Sequence, residues 1–350
     1  DYSYTYTIDY GLKEGIEIDH DVTINGNGHT IDGSREAAAF VVMDDYVVTF
    51  KDIVFKNCYY DSSTDNGGAA VLGNEQTKYI NCTFINNYAL MAGAIYKGTA
   101  VNCTFINNSA EGGGAIAYVE AINCNFTGNS AEYGGGAIYE GTAVNCTFTG
   151  NSAEYGGAIC DCFEVINCIF TGNSAKIGGA ICDCVNVVHC TFTGNSASEE
   201  GGAICECTEI IDSTFTGNSA SYGGAISMAN AYNCNFIKNH AMNGGAIYDG
   251  NAFDCNFTEN NASFIGGAIY SSYSGQATAS NCNFIKNNAY LGGAIGGGGQ
   301  FTATNCNFRQ NTAYDGGAIN AADDYNVINC TFTDNTAKNE DDDVYGNLTT

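Results

Sequence analysis

Apolar and polar positions alternate along this chain in short bursts. Val144, Cys146 and Phe148 are separated by Asn145 and Thr147, and Val188, Cys190 and Phe192 by His189 and Thr191. Successive side chains of a strand point to opposite faces, so an alternation of period two predicts a half-buried strand. No window carries a sustained apolar stripe at helical spacing. Each burst runs into Phe-x-x-Asn, and a Gly-Gly-Ala-Ile follows whose glycines supply the backbone freedom of a tight bend. The β-branched and aromatic residues beside that bend also suit strands.

The bursts are copies of one unit, typified by residues 145–159, NCTFTGNSAEYGGAI. The phenylalanine of Phe-x-x-Asn falls at Phe84, Phe105, Phe126, Phe148, Phe170, Phe192, Phe215, Phe236, Phe257, Phe284, Phe308 and Phe332, in steps of 21 to 27 residues. So regular a spacing predicts a solenoid, because one such unit cannot bury its apolar face alone and lays it on the next. About 22 residues per turn, divided into two or three short strands, suits a parallel β-helix. A leucine-rich repeat has a similar period but requires leucines that are almost absent here. The expected fold is all-β, a parallel β-helix of about 13–15 coils of 21–27 residues. Residues 1–20 read as an entry strand or cap, 21–335 as the repeats, and 336–350 as an acidic edge over the terminal coil. Longer linkers at 271–280, 296–304 and 320–328 are expected to lengthen loops without disturbing the strands.

Stacking in register sets like residues on like at roughly 4.8 Å. The expected ladders are phenylalanine (Phe148, Phe170, Phe192), cysteine two residues earlier (Cys146, Cys168, Cys190) and asparagine three residues later (Asn151, Asn173, Asn195). Ser213 replaces cysteine once, and the asparagine ladder is unbroken from Asn87 to Asn335. Asparagine tolerates the left-handed bend of a turn, and its amide can bond to the copies above and below.

Composition narrows the function. The formal charge is −27 with 11 basic residues, which argues against partners such as nucleic acid or anionic membrane. An acidic surface keeps a long solenoid soluble and attracts cations, Ca2+ among them, while no resident cofactor is expected. No apolar run is long enough to span a membrane, and the residues from Asp1 onward do not read as a signal peptide. Sequons such as Asn81, Asn102, Asn145 and Asn329 fall inside the repeated strand and arise from the repeat itself.

Eighteen cysteines would suggest disulfides in a secreted chain, yet most lie at one inward ladder position where cysteine acts as a small hydrophobe. Ladder pairing would distort the stack, so thiols are expected there, which fits a reducing source. The most specific local feature is Cys-acid-Cys after three consecutive Gly-Gly-Ala-Ile copies: Cys160, Asp161, Cys162; Cys182, Asp183, Cys184; Cys205, Glu206, Cys207. In register these make a patch of six sulfurs and three carboxylates on one wall. Local disulfides, buried thiols or a soft-metal or iron–sulfur site all fit. Strand parity leaves open which way the sulfurs point.

An enzyme on such a fold needs a base beside calcium-binding carboxylates, or paired carboxylates on one face. Arg35, Arg309 and the four histidines are scattered, and Asp161, Asp183 and Glu206 sit among cysteines. No catalytic residue is expected.

Gly-Gly-Ala-Ile paired with Phe-x-x-Asn, here FTGN, FINN and FIKN, resembles the repeat signature of the chlamydial polymorphic membrane proteins. The fuller unit with its opener INGNGHTIDG is similar to the adhesin-like surface proteins of methanogenic archaea. The resemblance covers roughly residues 20–345. It implies a right-handed, single-stranded parallel β-helix of pectate-lyase-like type, secretion, and a place at the cell surface. The chain departs from those families in showing no translocating barrel, membrane anchor or immunoglobulin-like stalk, and neither family carries catalytic residues to transfer. The expected function is a non-enzymatic extracellular surface protein, adhesin-like or the subunit of a surface layer, sheath or filament. Its partners are then its own copies, other surface proteins or glycans. The alternative is a carbohydrate-binding or polysaccharide-cleaving β-helix, recognisable by a groove lined with aromatics and a base or paired acids.

Overall fold

The computed structural model describes residues 2–3, 15–60 and 67–349. Most of the expected N-terminal cap, residues 1 and 4–14, lies outside the described residues. The fold is all-β, with no helix among the described residues, and its strands pair in parallel to build a β-solenoid of about 15 turns. Two compact units divide it, residues 1–174 and 175–350.

In the first unit each coil has three walls. Three-residue strands such as Thr104–Ile106, Asn125–Thr127 and Thr147–Thr149 form the phenylalanine wall, in the register Phe105 to Phe126 to Phe148. Seven-residue strands Ile95–Val101, Ile116–Ile122 and Ile138–Val144 form the isoleucine wall. Ser109–Ala110 and Ser130–Ala131 form the short third wall. Single residues with positive φ make the corners. Asn102, Asn123 and Asn145, with φ of 54°, 55° and 56°, join the isoleucine wall to the phenylalanine wall. The burst Val144, Cys146, Phe148 is therefore two strands on two walls, where the alternation predicted one. One left-handed residue swings the chain while leaving its neighbours pointing inward, so the period of two passes straight through the bend.

The core is made of stacked copies. Phe126, Phe148 and Phe170 lie face to face with centroids 4.9 and 4.7 Å apart, and Ile116, Ile138 and Ile159 are fully buried.

The second unit repeats this plan. Thr191–Thr193 pairs with Thr214–Thr216, and Phe192 stacks on Phe215 at 4.8 Å. Its two-glycine corner assigns a different task to each glycine. The first takes the left-handed bend, with φ of 65° at Gly223 and 66° at Gly244. The second lets coils touch: a Cβ on Gly224 would sit 2.3 Å from the carbonyl oxygen of Gly245. The residue pattern by itself assigns both to the bend.

The late linkers also differ from expectation. They extend strands: Gln276–Ser280 pairs with Gln300–Thr304, which pairs with Ile319–Ile328. The wider coils gain a buried column of Ala277, Phe301 and Tyr325, so the insertions add core as well as loop. At the far end the acid run folds back. Asp343 accepts from the Asn335 amide at 3.0 Å, where the next coil's asparagine would otherwise stand, and Asp342 accepts from the Ala337 N–H at 2.8 Å.

Candidate binding surface

The Cys-acid-Cys corners come first, because they carried the only candidate metal ligands. Asp161, Asp183 and Glu206 hold left-handed positions, with φ of 57°, 58° and 55°, and all three are exposed. The cysteines on either side, Cys160, Cys162, Cys182, Cys184, Cys205 and Cys207, are all buried. The expected patch of sulfurs and carboxylates on one wall is thus corrected: at each corner the sulfurs face in and the acid faces out. Coordination through Cys182, Cys184, Cys205 and Cys207 would require thiolates. Burial, followed by the charges of Cys182, Glu200 and Glu206, pushes the Cys205 thiol well up. Burial and the neighbouring Cys184 do the same to Cys207. Among the described residues no three of His, Cys, Asp or Glu gather as a metal site. These corners are also one residue longer than that after Ile138, and the extra residue at the first of them, Phe163, stands out, 66% exposed, between Ile159–Cys160 and Glu164–Ile166.

The ladder cysteines are buried thiols held by backbone. The Cys146 sulfur lies 3.3 and 3.4 Å from the carbonyls of Val144 and Ala121, which share its single S–H, and the Cys146 N–H donates to the Cys168 sulfur at 3.4 Å. Cys168 bonds in the same way to Ile166 and Ala143. In the second unit the Cys190 N–H donates to the Ser213 hydroxyl at 3.0 Å, so serine fills the same role. All eighteen cysteines are thiols, seventeen of them buried and Cys330 partly exposed. An alkylating reagent on the folded protein is expected to modify Cys330 first and the rest only as coils open, which peptide mass spectrometry over time would show. Rapid labelling of Cys205 or Cys207 would contradict their burial.

The asparagine ladder bonds through its amides from coil to coil as expected, but it does not make the bend. Its members are not the left-handed residues; those are Gly150, Gly172 and Gly194 just before them, with φ of 61°, 61° and 62°. Asn151 is fully buried, and its oxygen accepts from both the N–H and the amide of Asn129, at 2.9 and 3.0 Å. In turn it donates to Asn173 and to the Phe126 carbonyl. Asn173 donates to the Phe148 carbonyl, and Asn195 repeats the pattern onto Asn218. This amide column supplies the partners that corner backbone groups would otherwise lack.

The exposed positions of the coils are what the fold offers a partner. In the first unit the Tyr118 hydroxyl donates to Glu140 at 2.9 Å, and burial with that carboxylate pushes its pKa up to about 12. In the second unit Asp249 clamps the first late insertion through the N–H and hydroxyl of Ser272, and Tyr273 at its tip is 83% exposed. On the third wall of that unit two outward ridges flank a shallow groove. One ridge is a chain of amides and hydroxyl, with Asn261 bonded to His240, Asn288 to Asn261 and Thr312 to Asn288, at 2.9, 2.7 and 2.8 Å. The other is Tyr290 and Tyr314, stacked with centroids 5.0 Å apart, with Phe264 against Tyr290 at 6.3 Å outside the groove's lining. Sequence reasoning did not single this out. The bulge that pairs Ile265 with Leu291 sets Phe264 one residue later than Tyr290 within its coil, so no identity ladder marks the ridge.

Six tandem stretches of the chain, 102–117, 123–139, 145–161, 167–183, 189–205 and 212–228, match the Chlamydia polymorphic membrane protein repeat. No curated protein matches the chain. Among solved structures, the crystal structure of PfbA, a surface adhesin of Streptococcus pneumoniae, is similar at 11% identity and a TM-score of 0.25, over 90% of this chain and 82% of that one. No helix of the described residues is long and apolar enough to cross a membrane.

Proposed function

We propose that this chain, which carries six tandem copies of the Chlamydia polymorphic membrane protein repeat, acts at a cell surface as a non-catalytic, adhesin-like β-solenoid. The repeat match carries the reading. The geometry supports it: the phenylalanine, cysteine and asparagine positions of the core are taken up by stacking and by hydrogen bonds between coils. The finer form of the proposal is self-association into a layer, sheath or filament through residues 1–20, 271–280, 296–304 or 336–350. The exposed Tyr273 and the half-exposed Cys330 and Phe332 of the last coil favour the later segments. Immunogold electron microscopy of intact source cells tests both levels. Label on the outer envelope is expected, in ordered arrays if the chain is a layer subunit and scattered if it works singly. Label confined to the cytoplasm would overturn the surface reading.

A further inference from the structure

We propose that the groove on the third wall of the second unit binds an uncharged linear oligosaccharide, laid along the line of coils and spanning about three of them, a rise of roughly 4.8 Å per coil. Its floor is the backbone at Ala262, Ala289 and Ala313, whose buried side chains face inward, and a cleft of about 560 Å3 lies between the ridges. The depression is continuous because every coil places alanine between its two outward positions.

The amide ridge fixes the chemistry. A side-chain amide has two N–H donors and an oxygen with two lone pairs. The ladder uses one of each: Asn288 donates once, to Asn261, and accepts once, from Thr312. Asn261 likewise donates to His240 and accepts from Asn288. Each therefore keeps one donor and one acceptor for solvent or a ligand, repeated from coil to coil. A sugar hydroxyl donates and accepts, so it meets such a row in either sense, whereas an ionised group uses only half of it.

The opposite ridge supplies the apolar contact. Tyr290 and Tyr314, which line the cleft beside Ser263, are 48% and 39% exposed, and their faces are turned to one another, so a ligand meets ring edges. That makes an apolar wall for the C–H face of a sugar chain opposite a polar one for its hydroxyls. Lys338 lines the end of the groove and has no ion pair among the described residues, leaving its ammonium to donate to an oxygen of the ligand. A polyanion is disfavoured by the field of a chain with net charge −27.

An extended peptide fits less well. Peptides dock on sheets by pairing with open backbone edges. Here the wall's backbone is already bonded from coil to coil, with Ala262 donating to Asn288 and Ala289 to Thr312. No carboxylate lines the cleft, so the ligand is held and not cut.

This proposal names what the surface protein holds, and so rests on the adhesin-like reading for its biological sense. Its test, binding by the purified full chain, is independent of where the chain works. Isothermal titration and a glycan array would use cello-, chito-, manno- and xylo-oligosaccharides of increasing length, with uronate oligomers and an unrelated extended peptide as the competing classes. Binding of at least one neutral series is expected, strengthening with length until the groove is filled and then levelling. Asn288→Ala and Tyr290→Ala should each weaken it by about tenfold or more, while Tyr273→Ala, outside the groove, leaves it unchanged. All three positions are at the surface, so unchanged circular dichroism should accompany the loss. Absence of binding across the neutral series, binding of uronates or the peptide alone, or equal binding by the groove variants would each overturn the proposal. A bound glycan in a protein found inside the cell would sink the surface reading and leave the groove standing.

Discussion

Gly224→Ala unseats the coils on either side of it and destabilises the second unit by at least about 3 kcal/mol, at the upper end of overpacking costs. The added Cβ would meet the Gly245 carbonyl oxygen at 2.3 Å and the His240 carbonyl oxygen at 2.6 Å. Both obstacles are backbone, fixed by the same ladder that sets coil spacing, since Gly224 N–H donates to the Gly244 carbonyl at 3.0 Å. No side chain can swing aside, so the coils must part. The control is Gly217→Asn. Gly217 has φ of 63° and nothing within 4 Å of its would-be Cβ, and asparagine already holds the equivalent corner at Asn86 and Asn107. That change should stay within about 0.5 kcal/mol. A stacked repeat need not unfold in one step, so the readout is amide exchange at 223–226 and 244–247 rather than a single midpoint. Equal protection in the two variants would falsify the assignment of the second glycine to coil contact.

What the sequence disclosed, and what it hid, follows from the kind of signal each feature leaves. Phe148, Ile138 and Gly156 recur as identical residues at a fixed step, so the walls and bends they build are legible in the residues alone. The corners recur as well, at Asn102, Asn123 and Asn145, but the residue type does not distinguish a corner from a strand position. Asn145 turns the chain between two walls with one left-handed residue. The residues around it keep their alternation, and a single strand is the natural reading. The same ambiguity hid the direction of Cys160 and Cys162: only the left-handed Asp161 between them explains why both point inward. The groove on the third wall was less legible still, because its two lining tyrosines, Tyr290 and Tyr314, meet Ser263 in the neighbouring coil, where a bulge shifts the aromatic Phe264 by a residue. A ladder search by identity finds the core of a solenoid better than its working face, where residues are free to vary coil by coil.

The asparagine ladder makes the sharpest demand on single residues. Asn239 is fully buried, and its oxygen accepts from the backbone N–H and the side-chain amide of Asn218, both at 3.0 Å. Its own amide donates to the Phe215 carbonyl at 3.1 Å and to Asn260 at 3.0 Å. Asn239→Ala removes these partners together. The Asn218 N–H is then buried with nothing to bond, at about 1–3 kcal/mol, while the Phe215 carbonyl, in a strand paired in register with Asn235–Ile237, loses its second donor only, for an expected loss of about 2–4 kcal/mol. Faster exchange of the Asn218 amide is the direct measure, and unchanged protection there would refute the account. Asn239→Asp separates shape from hydrogen bonding. The carboxylate keeps the acceptor for Asn218 but loses both donors and buries a charge, which raises its pKa in the folded chain. A group so raised contributes its stability below its unfolded pKa of about 4 and loses it as pH rises through the folded value. Asn239→Asp should therefore be most stable in mild acid and weaken toward neutral pH, whereas Asn239→Ala should show no such added dependence. The difference arises because a protonated carboxyl regains one of the two donors that the column requires.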